Sequence, residues 1–231
     1  MNIHKTFAII EDNKEIYDML KHCPYEILRE WEYSEYPKGR IVFRQGEVYP
    51  YFYIIIDGLA DIYILAENGK KYSQAIYKKG NYIGELEIFD NQPYVCYVEA
   101  LTDLKLIGIK RDYFFQWLEL DRNFNSFIMK GMSKQFYRLS KKAGDDTLYS
   151  LKYRLLNFLI DGLSYGIQEN DNVKINLDKN QISEQLAVTQ RSINRILQYL
   201  KEKAIIDVNK NNIIIKDIEK LLAEKELSRF E

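Results

Sequence analysis

DKNQISEQLAVTQRSINRILQYL, residues 178–200, reads as two short helices joined by a tight connection. Asp178 precedes an apolar-periodic run, and Gln181 follows three residues later. This is a variant of the capping box, in which each side chain satisfies an orphan amide at the helix start. Ile182 and Leu186 stand four apart on one face. Ala187-Val188-Thr189 makes the connection, with Thr189 placed to cap the second helix. That helix buries Ile193, Ile196, Leu197 and Leu200. It turns Arg191, Asn194, Arg195 and Gln198 outward, at spacings i, i+3, i+4 and i+7.

The outward side chains are those that read DNA. Arginine donates two parallel hydrogen bonds to guanine, while Asn and Gln pair with adenine. Gln190 and Arg191 fall in the first turn, the part of a recognition helix that enters the major groove. Lys179 to Lys203 holds five basic residues against two acidic ones. The chain from Asp145 onward is otherwise close to neutral, so the local patch suits phosphate. A polar helix face can also be a merely solvated stripe. The downstream sequence favours DNA: Ile205–Val208 and Ile213–Ile215 flank Asn209-Lys210-Asn211-Asn212. A helix pair followed by such a two-stranded ribbon is a winged helix-turn-helix, with Lys210 where a wing meets the backbone.

Upstream the texture changes twice. From Tyr33 to about Lys110, Gly39, Gly46, Gly58, Gly69, Gly80 and Gly84 break short strands at near-regular intervals. Asn68-Gly69 between alternating runs predicts a type I′ hairpin after Ala60–Leu65. Evenly spaced short strands mean an antiparallel barrel or sandwich. Residues 1 to about 32 read as helix, with Ile16, Met19 and Leu20 on one face and Tyr25, Leu28 and Trp31 on the next. From Arg111 to about Ala143 the pattern is helical again. Phe124, Ile128, Met132, Phe136, Leu139 and Ala143 form a stripe of about five turns. Phe124, Ile128, Met132, Phe136 and Leu139 are therefore candidates for a seam with a second subunit. The alternative is one long helix lying on its own β-domain. Gly144-Asp145-Asp146 breaks the pattern and marks a boundary. Tyr149–Leu163 follows as helix, then flexible Ser164-Tyr165-Gly166 and a short strand over Val173–Leu177.

Composition excludes several function classes. With 231 residues the chain is one large domain or two modest ones. Its net charge of −1 gives no global pull toward nucleic acid or membrane, so any such partner is met by a local patch. Two cysteines, Cys23 and Cys96, make no disulfide framework and no four-cysteine cluster. His4 and His22 are the only imidazoles, which leaves no His-rich metal site or His-based triad. No nucleophile–base pair, metal spacing or phosphate loop points to an enzyme, and no cofactor is identified. The longest apolar run, Tyr51–Ile56, is far short of the roughly 20 residues of a membrane span. Phe7–Ile10 is too short for a signal-peptide core. The expected compartment is the cytoplasm.

A glycine-punctuated β-roll, a long helix, a hinge and a winged helix-turn-helix, in that order, resemble the CRP/FNR family of bacterial transcription regulators. Tyr36-Pro37-Lys38-Gly39, Tyr53-Ile54-Ile55-Ile56-Asp57-Gly58, Gly80-Asn81-Tyr82-Ile83-Gly84-Glu85-Leu86 and Thr189–Leu197 carry the resemblance. It implies an α+β chain: an antiparallel, jelly-roll-like β-roll sensor over 1–110, a dimerisation helix over 111–144 and a DNA-binding domain over 145–231. It also implies a homodimer on a roughly twofold-symmetric stretch of double-stranded DNA. Gln190, Arg191 and Arg195 would read bases; Thr189 and Ser192 would position on phosphate. RNA polymerase is a further partner if the protein is an activator.

Cyclic-nucleotide-binding members of that family use the segment at Gly84-Glu85-Leu86 for the ribose and an Arg-Ser or Arg-Thr pair for the phosphate. Here the pair reads Tyr94-Val95, and the long-helix positions that reach the pocket read Leu139 and Ser140. A lost charge-assisted hydrogen bond, roughly 1.5–3 kcal/mol, predicts affinity lower by an order of magnitude or more. Cyclic AMP is not the expected effector. Two readings of the pocket stay open: a more apolar small molecule of unknown identity walled by Tyr94, Val95 and Leu139, or a site filled by its own side chains. The rival to the DNA reading is a small-molecule sensor whose helical domain contacts a protein partner.

Overall fold

The computed structural model describes residues 13–164, 166–170, 172–177 and 179–230. Phe7–Ile10, His4, Tyr165 and Asp178, read above, lie outside them. The described residues up to Tyr137 form one compact unit, and those from Arg138 a second. No helix among them is long and apolar enough to cross a membrane.

The first unit opens with helices α1 (Lys14–Leu20) and α2 (Tyr25–Leu28). Asn13 caps α1, its Oδ1 accepting from the amides of Glu15 at 2.8 Å and Ile16 at 3.0 Å. Eight strands follow: β1 (Glu32–Tyr36), β2 (Ile41–Phe43), β3 (Tyr51–Asp57), β4 (Leu59–Leu65), β5 (Lys71–Lys78), β6 (Tyr82–Ile83), β7 (Tyr97–Ala100) and β8 (Leu104–Lys110). They make two antiparallel sheets, ordered β1-β8-β3-β6 and β2-β7-β4-β5. Phe43, Ile55, Ile62, Ile83, Val98 and Leu106 fill one core of this β-roll. The predicted β-class is observed. Gly58 shows why the turns need glycine: its φ is +88°, and a Cβ there would lie 2.2 Å from the carbonyl oxygen of Asp103. The β4–β5 hairpin is present but not as type I′. Only Gly69 has positive φ, and its amide bonds the carbonyl of Ala66 at 2.9 Å. That is a three-residue loop with glycine at the left-handed position.

The helical region after β8 is two helices, α3 (Arg111–Leu120) and α4 (Arg122–Leu148), not one. Asp121 is extended between them. Its carboxylate takes the Trp117 indole N–H at 3.2 Å and the Asn123 amide at 2.8 Å, as a helix cap does. The start of α4 is thereby pressed into the unit's own core. Phe124 and Ile128 are fully buried with Trp31, Phe52, Phe114 and Trp117, and Met132 packs half-buried against them. These three were expected at a subunit seam; the apolar surface they cover is the β-roll's own. Arg111 fastens α3 to the loop after β6, donating to the carbonyls of Ile88 at 2.7 Å and Phe89 at 2.8 Å. The break expected at Gly144–Asp146 does not occur. Helix α4 runs to Leu148, because one helical glycine costs only about 1 kcal/mol and Asp146 is held by Lys142 at 3.4 Å and Arg154 at 2.7 Å.

The second unit holds α5 (Leu151–Gly162), β9 (Ile167–Glu169), β10 (Asn172–Ile175), α6 (Lys179–Gln185), α7 (Gln190–Glu202), β11 (Ile206–Val208), β12 (Ile213–Ile215) and α8 (Ile218–Ser228). Ser150 caps α5, accepting from the Tyr153 amide at 3.3 Å. The sheet order is β11-β12-β10-β9, so the wing hairpin is extended by a second hairpin. Leu155, Leu156, Leu159, Ile175, Ile182, Ile193, Leu200, Ile213 and Leu221 meet in one core.

Candidate nucleic-acid interface

The turn between α6 and α7 is closed by Ala187 in the left-handed region (φ +53°). The Leu186 amide reaches Ile182 O at 3.0 Å, and the Val188 amide reaches Ser183 O at 3.0 Å. Thr189 then caps α7 as its sequence position predicts: Oγ1 accepts from the Ser192 amide at 3.3 Å and stands 3.0 Å from the Ser192 hydroxyl. Both hydroxyls are thus part of the cap. Ile193, Ile196, Leu197 and Leu200 are buried, which leaves Gln190, Arg191, Asn194, Arg195 and Gln198 on the exposed side. Arg191, Asn194 and Arg195 make no hydrogen bond or ion pair among the described residues, so three side chains of that face are free to meet a partner. Gln198 donates to Glu202 at 2.9 Å, and Gln190 is bonded to Asn180. Lys179 begins α6, half-buried. Lys210 is exposed at the wing tip, where Asn209 and Asn212 are joined twice at 2.9 Å, by backbone and by side chain.

In the β-roll the candidate pocket residues separate. Gly84, Glu85 and Tyr94 come together. Tyr94 is held inward because its strand-like segment pairs with the 46–47 turn, Gly46 N to Tyr94 O at 2.8 Å and Tyr94 N to Glu47 O at 2.9 Å. Its ring is 3% exposed and lies 5.4 Å from Phe43 and 5.2 Å from Tyr49. A Cβ on Gly84 (φ +92°) would meet the Tyr94 hydroxyl at 2.6 Å. Leu86 and Val95, expected on the pocket wall, are exposed instead, by 48% and 56%. Leu86 lies in a helical turn closed by the Ile88 amide on the Gly84 carbonyl at 3.1 Å, and Val95 faces away from the side on which Tyr94 is buried. Leu139 and Ser140 are exposed on α4.

Glu85 is 5% exposed. Gln135 of α4 donates to it at 2.9 Å and to the Tyr77 hydroxyl at 3.1 Å. Burial pushes its carboxyl up to about 7; bonds from its own amide and from Gln135 oppose that rise, and the charge of Glu87 adds to it. Gln135 and Tyr77 escaped the sequence reading, since a glutamine on a helix reads as a solvent residue. Both thiols, Cys23 and Cys96, are pushed up to about 12 by burial, which suits packing rather than thiolate chemistry. Among the described residues no group of His, Cys, Asp or Glu could hold a metal ion.

The family model for the cyclic nucleotide-binding domain matches residues 33–121, and that for the Crp-like helix-turn-helix domain matches 153–224. The chain belongs to the CRP/FNR family. Among CRP/FNR relatives, the anaerobic regulatory protein of Bacillus subtilis is 28% identical over 203 residues, covering 86% of this chain and 85% of its own. The structure of a CooA mutant from Carboxydothermus hydrogenoformans matches with a TM-score of 0.73 at 19% identity, covering 90% of this chain and 94% of the other. That of CLP, a c-di-GMP-responsive global regulator of Xanthomonas campestris, matches with 0.75 at 15% identity, covering 87% and 97%. The CRP/FNR chain described here is therefore a transcriptional regulator with a helix-turn-helix DNA-binding domain.

Proposed function

We propose that this CRP/FNR regulator binds a roughly twofold-symmetric operator as a homodimer and does so without a cyclic nucleotide. The observation that carries the reading is the unpartnered face of α7, Arg191, Asn194 and Arg195, in the same unit as the exposed wing-tip Lys210. Arg191 and Arg195, with Gln190, read base edges; Asn194 and Gln198 extend the same face; Lys179 and Lys210 bind backbone phosphate. Residues 1–110 serve as sensor-type domain, 111–144 as dimerisation region and 145–231 as DNA-binding domain. The protein acts in the cytoplasm, and as an activator it would also touch RNA polymerase. Selection of genomic fragments by the purified protein, with no small molecule and at one salt near physiological, tests the core of this. Enrichment of a twofold-symmetric site supports it, whereas binding without enrichment would speak for a required effector. On the selected site Arg195→Ala is expected to lose discrimination at one base position by about 1–3 kcal/mol, while Lys210→Ala weakens all sequences alike. Equal losses on operator and random duplex for both variants would refute the assignment.

Dimerisation uses the outer side of α4. Met129 (62% exposed), Phe136 (73%), Leu139 and Ala143 are exposed, and with half-buried Met132 they step by three and four residues as a two-helix seam does. Phe136→Glu is expected to yield a folded monomer, read by sedimentation, with operator affinity at least about tenfold lower. A dimer that survives this change would place the seam elsewhere.

The absence of a nucleotide requirement rests on Tyr94. Its ring takes up space beside Gly84 that a ligand phosphate would need, and it brings no positive charge. On this reading the β-roll needs no nucleotide, and the dimer binds its operator without one.

A further inference from the structure

Behind the recognition helix lies one buried carboxylate. Glu224 of α8 is 5% exposed. Its Oε1 accepts from the Tyr199 hydroxyl at 2.7 Å and pairs with Lys152 Nζ at 2.9 Å; its Oε2 takes Lys203 Nζ at 2.8 Å. The two ammonium groups also lie over the Tyr199 ring, 4.9 Å and 4.6 Å from its centre. Burial alone would push the Glu224 carboxyl up, but hydrogen bonds from Lys152, Lys203 and Tyr199 outweigh it and hold it at about 2. At neutral pH it is an anion serving α5, α7 and the residue that ends α7.

The same residues reach the reading face. Lys152 and Tyr199 line an open concavity of about 510 Å³ together with Ser150, Leu151, Ile196 and Arg195. Two cations therefore share one wall, and they differ in what holds them. Lys152 is tied to Glu224 and only 18% exposed, whereas Arg195 is exposed with no bond among the described residues.

We propose that Glu224 is a positioning residue that sets the specificity of DNA recognition: it withholds Lys152 from the nucleic acid and pins Tyr199, so that Arg195 is the cation this concavity offers to DNA. The inference rests on Arg195 reading a base. A lysine released from its anion has a flexible stem and three donors, and it binds any phosphate it reaches. Such a contact raises affinity for every sequence and steepens the salt dependence by about one charge. An arginine whose flanking residues have lost their anchor discriminates less between bases.

The test uses the full chain on the selected operator and on a random duplex of equal length, titrated across salt. Glu224→Gln keeps the side-chain size and removes the charge. It is expected to bind the random duplex several-fold more tightly, with a slope steeper by about one, and to lower the operator-to-random ratio by about tenfold. Glu224→Asp should recover much of the ratio. Equal weakening on both duplexes with an unchanged slope would reduce Glu224 to a structural prop and overturn the proposal; so would no change at all. If the glutamine variant fails to melt cooperatively, Tyr199→Phe replaces it. That change removes the 2.7 Å bond and keeps every charge, and an unaltered ratio would then overturn the proposal. If the wild-type chain enriches no operator, the base-reading assignment fails on its own, while the random-duplex slope still decides for or against Glu224.

Discussion

Phe124→Ala is expected to destabilise the first unit by about 3–5 kcal/mol, the usual cost of emptying a large aromatic site in a packed core. The ring of Phe124 lies parallel to Trp117 with centroids 3.4 Å apart, and meets Phe114 at 5.7 Å and Phe52 at 6.1 Å edge-on. Trp117 in turn meets Trp31 at 6.0 Å. Truncation leaves three large aromatic side chains, Trp117, Phe114 and Phe52, facing a void that cannot collapse, because each is fixed from its other side. Denaturant unfolding at several protein concentrations checks this. The loss should be the same at every concentration, since Phe124 belongs to its own chain's core. A loss confined to low concentration would return Phe124 to the subunit seam.

The second large effect is a pH dependence carried by Glu85. An ordinary glutamate in the unfolded chain titrates near 4.5, and the folded value is about 7. The folded state therefore binds more protons between those values, so stability from this group is fully present below about pH 4.5 and is lost as pH rises through 7. The integrated loss is on the order of 3 kcal/mol. Glu85→Gln preserves the size and can still bond Gln135, and it has nothing to ionise. Unfolding free energies of the two proteins should converge below about pH 4.5, separate progressively between there and about pH 7, and stay apart above it, with the glutamine variant the more stable. Parallel profiles would mean that Glu85 does not titrate in this range.

The DNA-binding half was legible because its helices are two-faced at short range. Buried Ile193, Ile196, Leu197 and Leu200 fix which side of α7 is wet, and Thr189 announces where it starts. The β-roll was legible through its glycines, because positive φ is a local demand that a sequence must answer locally. What stayed hidden depends on distant neighbours. An apolar stripe tells which residues of a helix are covered but not by what, so Phe124 and Ile128 looked like seam residues and Met129 was passed over. Asp121 inside a helical pattern reads as a tolerated polar residue until its two bonds are seen. Glu85 with Gln135 and Glu224 with Lys152 join positions 50 and 72 residues apart, and α8 drew no notice beyond the wing. Asp217 ahead of Ile218 was an available start signal for that helix, and its side chain does cap it.

The inward position of Tyr94 also bears on how readily such a regulator could change its habits over many generations. An arginine at 94 is what a phosphate would ask for, and that substitution would strand a guanidinium among Phe43, Tyr49 and Tyr53, which now pack around a ring. The aromatic cluster would have to be hollowed first, and each intermediate carries a cavity before it gains a ligand. If the regulator works without a nucleotide, as proposed, Tyr94 would act as a ratchet: the neighbours packed against its ring would hold that state in place.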